Sequence, residues 1–541
     1  MQTASALLAC ALSAVPLAAQ GTPISTVDLD ELHTEGDVVG LVGNTTSINN
    51  LAINNSGIWL LEVDTDNPDT TADGALLTQF GVSLTEGESL AMPTGSSIGS
   101  FDSITLNNLS ESGWNFFLDG TASNNDDSGI YFNTTLLIQE GSVSSAAGFS
   151  AGTVFTGFLE TKIADSGHIL VMASVDDSAI ASTTDRALME VDVFGGATQT
   201  VLFKEGDVLP GQTEAVADFE TSPHNFAYNA LREVLFIADL AGDTAVDHAV
   251  YLDSVLLAQE GSASPVAGRN WSSLASAEVN LNDHGDYVIS GSLDGDTSSN
   301  LLIELNGAKF RQEGDSVTDN DFASWNLTSF GSGPVMIGNN GNVLWFGDWD
   351  NPDTDVDSGL FLNDQLIVQE GVSTVDGVVI DTLRSVQDGY MLSDDGQWFI
   401  FRAVLDNGDD VAARVHVGPF VSLGQGLAGA GGVTPQLRGK GSLASGGSFT
   451  LDVIGALPGA MNTVVYSLTN LSAPFKGGTL IPAPDFFIGG ALIGVDGSRQ
   501  LNLGLPGGVP SGLDVFLQFW ITDPSGFSGF SSTNGLKATT P

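Results

Sequence analysis

Seven times along this chain a short run of residues closes on glutamate and glycine: HTEG (33–36), LTEG (84–87), LLIQEG (136–141), LFKEG (202–206), LLAQEG (256–261), FRQEG (310–314) and LIVQEG (366–371). The glycines fall at 36, 87, 141, 206, 261, 314 and 371, so the unit recurs every 51 to 65 residues. A period of that length is a supersecondary unit, and one so small cannot bury its faces until it packs on its neighbours. The body of the chain must therefore be an array of seven similar parts.

A second signal is interleaved with the first: a polar turn ending in Gly, then an aromatic and aliphatic run ending in acid. It reads NNSGIWLLEVD (54–64), SESGWNFFLD (110–119), ADSGHILVMASVD (164–176), NDHGDYVISGSLD (282–294), NNGNVLWFGDWD (339–350) and DDGQWFIFRAVLD (394–406). The copy NALREVLFIADLAGD (229–243) is degenerate, with Arg232 at the glycine position. Each repeat then divides into four short strands: one before the turn, one after it, a third such as SGIYF (128–132), and a fourth ending in Glu-Gly. Five- or six-residue apolar runs between Gly, Asn and Asp are the pattern of antiparallel sheets.

The ends of the array do not match, and the mismatch is informative. The last repeat has its third strand, VAARVHV (411–417), but no fourth, whereas the chain begins with an orphan fourth strand, ISTVDLDELHTEG (24–36). Pairing Ile24 to His33 with the strand around Arg414 completes the seventh unit and leaves no exposed edge. The fold expected is all-β: a seven-bladed β-propeller closed by the N-terminal strand, followed by a C-terminal β-sandwich.

Charge divides the chain in two. There are 66 acidic and 15 basic residues, a formal charge of -51. From 421 onward five acids and five bases cancel, so the whole excess lies before that point. With 42% hydrophobic and 15% charged residues the chain has the apolar surface to fold. Its polarity excludes nucleic acid and anionic membranes as partners, since both select a basic face. The division gives a propeller over 21–420 and a sandwich module over 421–541. Residues 1–20, MQTASALLACALSAVPLAAQ, carry no charge and end in small residues, as a secretory signal peptide does. Leu7-Leu8-Ala9-Cys10 is a looser lipobox reading; Cys10 is the chain's one cysteine, so no disulfide is expected after cleavage. No other apolar stretch is long enough to span a membrane, and a secreted or cell-surface monomer is expected.

Few residues offer chemistry. Glu140, Glu260, Glu313 and Glu370 of the Glu-Gly elements read as turn devices, because catalysis needs an asymmetric pair of groups at one place. The loops DTDNPDTTAD (64–73) and DWDNPDTDVD (348–357) are near duplicates that gather carboxylates. Calcium takes six to eight oxygen ligands from such loops, which makes Asp64, Asp66, Asp69, Asp73, Asp348, Asp350, Asp353, Asp355 and Asp357 the candidate metal ligands and calcium the candidate cofactor. Solvated turns are the plainer alternative. The six histidines show no paired spacing, and neither a GxSxG elbow nor a phosphate-binding loop is present. Trp59, Trp114, Trp345 and Trp398 recur beside the glycine turn as expected core; Trp349, inside an acidic loop, is the tryptophan placed to meet a ligand.

The turn Asn54 to Leu61 and its copy Asn282 to Ile289 resemble the N-x-x-G-x-x-A-F repeat of a tandem-repeat family of secreted bacterial proteins. Both keep the Asn and Gly but replace the Ala-Phe pair, and the other copies place Ser110, Ala164, Gly338 or Ser393 where the Asn belongs. Over roughly 22–420 the resemblance implies an extracellular repeat protein of uncharacterised role, with no catalytic residues to carry over. Beyond Thr434, the runs GGTLIPAP (477–484), FLQFWITDP (516–524) and TNGLKATTP (533–541) resemble a small C-terminal β-domain of many secreted bacterial proteins. The function expected from these features is a non-enzymatic extracellular or cell-surface binding or scaffolding protein that presents acidic loops to a protein or glycan, stabilised by calcium. The alternative is a glycan-active hydrolase or lyase with carboxylates at the propeller axis. Two carboxylates about 5 to 10 Å apart in an axial funnel would favour the enzyme; an axis lined by repeated neutral side chains would reject it.

Overall fold

The computed structural model describes residues 29–540 apart from 181–184, 321–322, 430–431, 442, 496 and 511. The expected signal peptide and Ile24 to Asp28 lie outside the described residues. No α-helix occurs among those described, and none is long and apolar enough to cross a membrane.

Between Leu29 and His416 the chain forms seven antiparallel sheets in succession, each built from neighbouring strands in chain order. The third shows the plan: Val154–Ile163, His168–Asp176, Asp185–Asp192 and Thr198–Lys204 lie side by side. The second and third strands of each sheet are apolar on both faces because both faces meet neighbours; in Val234–Leu240 six of seven residues are buried. The seventh sheet comprises Val378–Leu383 with Tyr390–Leu392, then Trp398–Leu405, Asp410–His416 and finally Leu29–Thr34. The first described strand thus pairs with the last strand of the array, Leu29 opposite Val415 and Thr34 opposite Val411.

Apolar cores lie between consecutive sheets. Leu60 and Leu76 of the first meet Trp114 and Phe116 of the second. The pattern continues to the sixth and seventh, where Leu344 and Leu360 pack with Phe399 and Phe401. Ile400 and Ala412 of the seventh then pack with Leu51, Leu61 and Val63 of the first, so the order of packing is cyclic.

The Glu-Gly elements join sheet to sheet. All seven glycines hold φ between 68° and 89°, a region closed to most side chains. Each donates its N–H to a carbonyl of the next sheet: Gly36 to Thr45, Gly87 to Ile98, Gly141 to Phe155, Gly206 to Val216, Gly261 to Trp271, Gly314 to Leu327 and Gly371 to Ile380, at 2.8 to 2.9 Å. The adjoining glutamates accept backbone N–H groups, Glu86 from Gly74 (2.9 Å), Glu205 from Arg186 (3.0 Å), Glu260 from Leu274 (2.7 Å) and Glu313 from Asn300 (2.9 Å).

The polar turns join the sheets at their other end. Asn54 accepts the N–H groups of Ser56 and Ile58 and donates to the carbonyl of Asn107 in the next sheet (3.2 Å). Asn107 repeats this toward Ala164, and Asn282 toward Gly338. One register expectation is corrected here: Asn107, not Ser110, is the equivalent of Asn54, and Ser110 itself takes the glycine's positive φ (62°), as Arg232 does (67°) in the degenerate copy.

From 420 onward two further sheets share one core. Phe420–Ser422, Leu536–Thr539, Asp514–Thr522, Met461–Ser467 and Phe486–Leu492 form one; Gln436–Gly441, Ser448–Ile454 and Arg499–Gly504 form the other. Leu451, Val453 and Leu501 of the smaller sheet pack with Val464, Leu517 and Phe519 of the larger. The sixth sheet holds this part through Gln365, whose amide donates to the Leu437 carbonyl (2.9 Å), and through Arg438, which donates to the Leu366 carbonyl (2.8 Å).

Candidate active site at the centre of the seven sheets

The innermost segments of all seven sheets line one cavity of about 420 Å³. Its wall includes Ala52, Thr105, Lys162, Ala227, Asn280, Met336 and Met391, one from each sheet, each standing next to last before the polar turn. Six of these seven are uncharged and one is lysine. The repeat is symmetric in its backbone and asymmetric in the chemistry it points at the centre.

Glu160 precedes Lys162 by two residues on Val154–Ile163, so strand alternation turns both to the cavity while Thr161 between them is buried. Asp102 enters from Ser97–Leu106 at a bulge, where the register shifts between Phe101 and Ser103 and re-aims the side chain. Asp388 comes from the loop before Tyr390–Leu392. That loop crosses the centre, since the His224 ring of the fourth sheet meets the Gln387 carbonyl of the seventh at 2.9 Å.

These groups feel one another. Removal from water lifts the Glu160 carboxyl to about 7, with Lys162 opposing and Asp388 and Asp102 adding to the rise. Desolvation lifts Asp102 to about 6 despite the 2.6 Å hydrogen bond from Asn115. Asp388 is raised by burial and drawn back by Lys162 and Arg402. Lys162 is lowered by desolvation against the pull of Glu160, Asp388 and Glu278. Deeper in, Glu278 is pushed up to about 8, and one of its buried oxygens has no hydrogen-bond partner among the described residues. His224 falls to about 3 through burial and then the Lys162 charge, and stays neutral. The cavity thus offers Glu160, which titrates near 7, beside Asp102, which titrates near 6. Environments that push such values apart assign acid and base roles.

The nine carboxylates expected as cation ligands lie elsewhere, at the ends of the second strands (Asp64, Asp348) and on the equivalent loops that follow them in the first and sixth sheets. Asp66 accepts the N–H and amide of Asn44 (2.7 and 2.8 Å), and Asp350 accepts the same pair of groups from Asn326 (2.7 and 2.8 Å). Asp64 accepts from Ser47 and Asn49, Asp69 from Thr71, and Asp353 from the N–H of Asp355. Asp73 lies against Glu86, Asp357 beside Asp348, and Asp355 is exposed. Among the described residues, the His and acidic side chains whose ligand atoms gather within 4.8 Å of one another are Asp239, Asp247 and His248. Trp349 does not face a ligand: it is buried between the fifth and sixth sheets, edge-on to Phe361.

The model of a family of unknown function, DUF7453, matches residues 34–254. No curated protein matches the chain. Solved structures similar to it include an α-L-arabinanase of Penicillium chrysogenum complexed with arabinobiose, at 11% identity, TM-score 0.28, 72% of this chain and 98% of that one. A Trypanosoma rangeli sialidase in complex with sialic acid is similar at 9% identity, TM-score 0.27, 95% of this chain and 94% of that one. A tetra-tandem repeat from the extending region of a large adhesion protein is similar at 10% identity, TM-score 0.12, 94% and 98%.

The expectation of a non-enzymatic binding or scaffolding protein is corrected. The centre of the molecule holds Lys162 with the carboxyl groups of Glu160, Asp102 and Asp388 around it, beside six uncharged side chains at the repeated wall position. The signal behind that reading was the density of acid in outer loops, which says nothing about what seven inner strands bring together.

Proposed function

We propose that the seven sheets are the blades of a closed seven-bladed β-propeller, that the segment from 421 onward is a β-sandwich module, and that the protein is a secreted or cell-surface glycan hydrolase acting at the propeller axis. The cyclic packing and the pairing of Leu29–Thr34 with Asp410–His416 support the ring. The cavity volume is that of a small-molecule or sugar-sized site.

The observation that carries the enzymatic reading is the group Glu160, Lys162 and Asp388 at the centre of a seven-fold repeat. Hydrolysis of a glycosidic bond needs a carboxylic acid that protonates the leaving oxygen and an ionised carboxylate that activates water or attacks the sugar carbon. Glu160, lifted to about 7 by burial, takes the acid role. Asp388, drawn toward ionisation by Lys162 and Arg402, takes the second role, and Asp102 adds charge that stabilises a cationic sugar.

The test is release of reducing ends from a panel of neutral and anionic polysaccharides by the full chain, with Glu160→Gln and Asp388→Asn as controls. Activity that falls at least a hundredfold in both variants supports the assignment. Release from no member of the panel, or release by both variants equal to that of the unaltered chain, removes it. Calcium on the outer acidic loops is a separate proposal, tested by thermal melting with and without chelator; an unchanged midpoint removes it.

A further inference from the structure

The fourth sheet gathers five metal-ligating groups from four of its strands and the residues that flank them. Glu220 follows Val216–Phe219, Asp239 lies on Val234–Leu240, Asp247 precedes and His248 opens His248–Leu252, and Glu260 follows Val255–Gln259. Asp239 and His248 stand directly opposite in the ladder. The ring of His248 is bracketed: Nε2 is 3.0 Å from Glu220 Oε1, while Nδ1 is 3.0 Å from Asp247 Oδ1 and 3.5 Å from Glu260 Oε2.

Sequence symmetry marks the histidine as special. The residues opening the corresponding third strands of the first, second, third, sixth and seventh sheets are Gly74, Ser128, Asp185, Ser358 and Asp410. Glu260 occupies the Glu-Gly position, where Glu86, Glu205 and Glu313 accept backbone N–H groups and Glu370 accepts the Ser358 hydroxyl. One of its oxygens accepts a backbone N–H, and the other turns to His248.

Asp239 accepts no hydrogen bond from any described residue, and Asp247 is nearly buried. A ligating histidine characteristically donates its second ring N–H to a carboxylate, which fixes the tautomer and aims the other nitrogen at the ion. Glu220 is placed to do this, leaving Nδ1 toward Asp247 and Glu260.

We propose that Asp239, Asp247, Glu260 and His248 Nδ1 form a divalent-cation site of the zinc type, oriented by Glu220 and separate from the axial cavity. The imidazole donor selects borderline transition ions over calcium or magnesium, which prefer oxygen alone. Four protein donors are the number a closed zinc site takes; Asp239, Asp247 and His248 already lie within 4.8 Å of one another, and Glu260, 3.5 Å from the ring, would move in as the fourth at bonds of about 2.0 to 2.2 Å.

The experiment is a titration of metal-stripped full chain with Zn2+ at neutral pH, read by calorimetry and by metal content after gel filtration. One tightly bound equivalent is expected, undisplaced by millimolar Ca2+ and accompanied by a higher melting midpoint. His248→Asn and Asp239→Asn, both close in volume, are expected to weaken binding at least tenfold, with circular dichroism verifying the fold. Glu220→Gln is expected to weaken it less, by orientation only. Absence of a stoichiometric equivalent on the wild-type chain overturns the proposal without reference to any variant. So does zinc retained in both His248→Asn and Asp239→Asn, or displaced by equimolar Ca2+.

Discussion

Arg414 forms an ion pair with Asp30 across 384 positions of the chain, joining the third strand of the last sheet to the strand that opens the array. Arg414 also donates to the Gly57 carbonyl of the first sheet at 2.6 Å, and its guanidinium lies 4.8 Å from the centroid of the Trp398 ring. One side chain therefore ties the seventh sheet both to its fourth strand and to the first sheet.

The two ends of that contact should differ in worth. Asp30 is exposed, so its half of the ion pair is screened and Asp30→Ala should cost less than about 1 kcal/mol. Arg414→Ala removes a hydrogen bond and a ring contact as well, and should cost about 2 kcal/mol. Urea unfolding of the two variants measures both; equal costs would show that the tie to the first sheet contributes nothing.

The Glu-Gly positions make a second comparison. At Gly206 an added methyl group meets nothing within 4 Å, so Gly206→Ala pays only for a positive φ of 84°, about 1 to 2 kcal/mol. At Gly371 the same methyl would stand 2.1 Å from the Asp355 carbonyl oxygen, which must move together with its loop. Gly371→Ala should therefore cost about 3 kcal/mol or more. Thermal melting of the pair checks the order, and reversal would mean that backbone strain outweighs the clash.

The strands were legible because period and turn chemistry are local. The closing strand was legible because Leu29–Thr34 and Asp410–His416 are the unmatched halves of one repeat. The place of Asn107 was not: in SESG the glycine nearest in sequence is Gly113, while the residue that turns the chain is Ser110, and a serine at positive φ leaves no compositional mark. The axial group was hidden for a different reason. Asp102, Glu160, Glu278 and Asp388 come from four sheets, and only alignment on the turn residues reveals that Glu160 and Glu278 share one repeat position, that Asp102 and Asp388 share another, and that Lys162 stands where other repeats place Ala, Thr, Asn or Met. Acid density drew attention to Asp64–Asp73 and Asp348–Asp357 instead, where the carboxylates largely serve their own turns.

Lys162→Met tests the electrostatics of the centre with little change of volume, since Met336 and Met391 already occupy the equivalent places. The lysine charge holds the Glu160 proton affinity down, so its removal should raise it further. For the proposed hydrolase, whose rate needs protonated Glu160, the alkaline limb of the wild-type profile should fall near pH 7 and move upward in the variant. A limb that stays in place would mean that Glu160 is not the acid.

Stability should fall as pH rises from about 5 to about 8. In the folded chain Glu62 and Glu278 titrate near 8 and Glu160, Glu304 and Glu370 near 7, in each case mainly because burial disfavours the charged form. Each binds its proton more tightly folded than unfolded, so across that window the native state carries more protons and its advantage shrinks as they are removed. Asp66, Asp350 and Glu190 work the other way: hydrogen bonds from Asn44 and Asn326 lower the first two, and Arg232 and Tyr228 lower Glu190 against its burial. The stability these contribute is present above the ordinary carboxylate range and is lost below it, and His33, His224 and His416, lowered by burial, bind fewer protons folded than unfolded and offset part of the fall between pH 5 and 7. Repulsion within a chain of formal charge -51 adds to the fall on the alkaline side. Melting at constant ionic strength should therefore show a higher midpoint at pH 5 than at pH 8. A midpoint that rises over this interval would mean the inner carboxyls are ionised in the folded chain, and the protonated acid proposed at Glu160 would go with them.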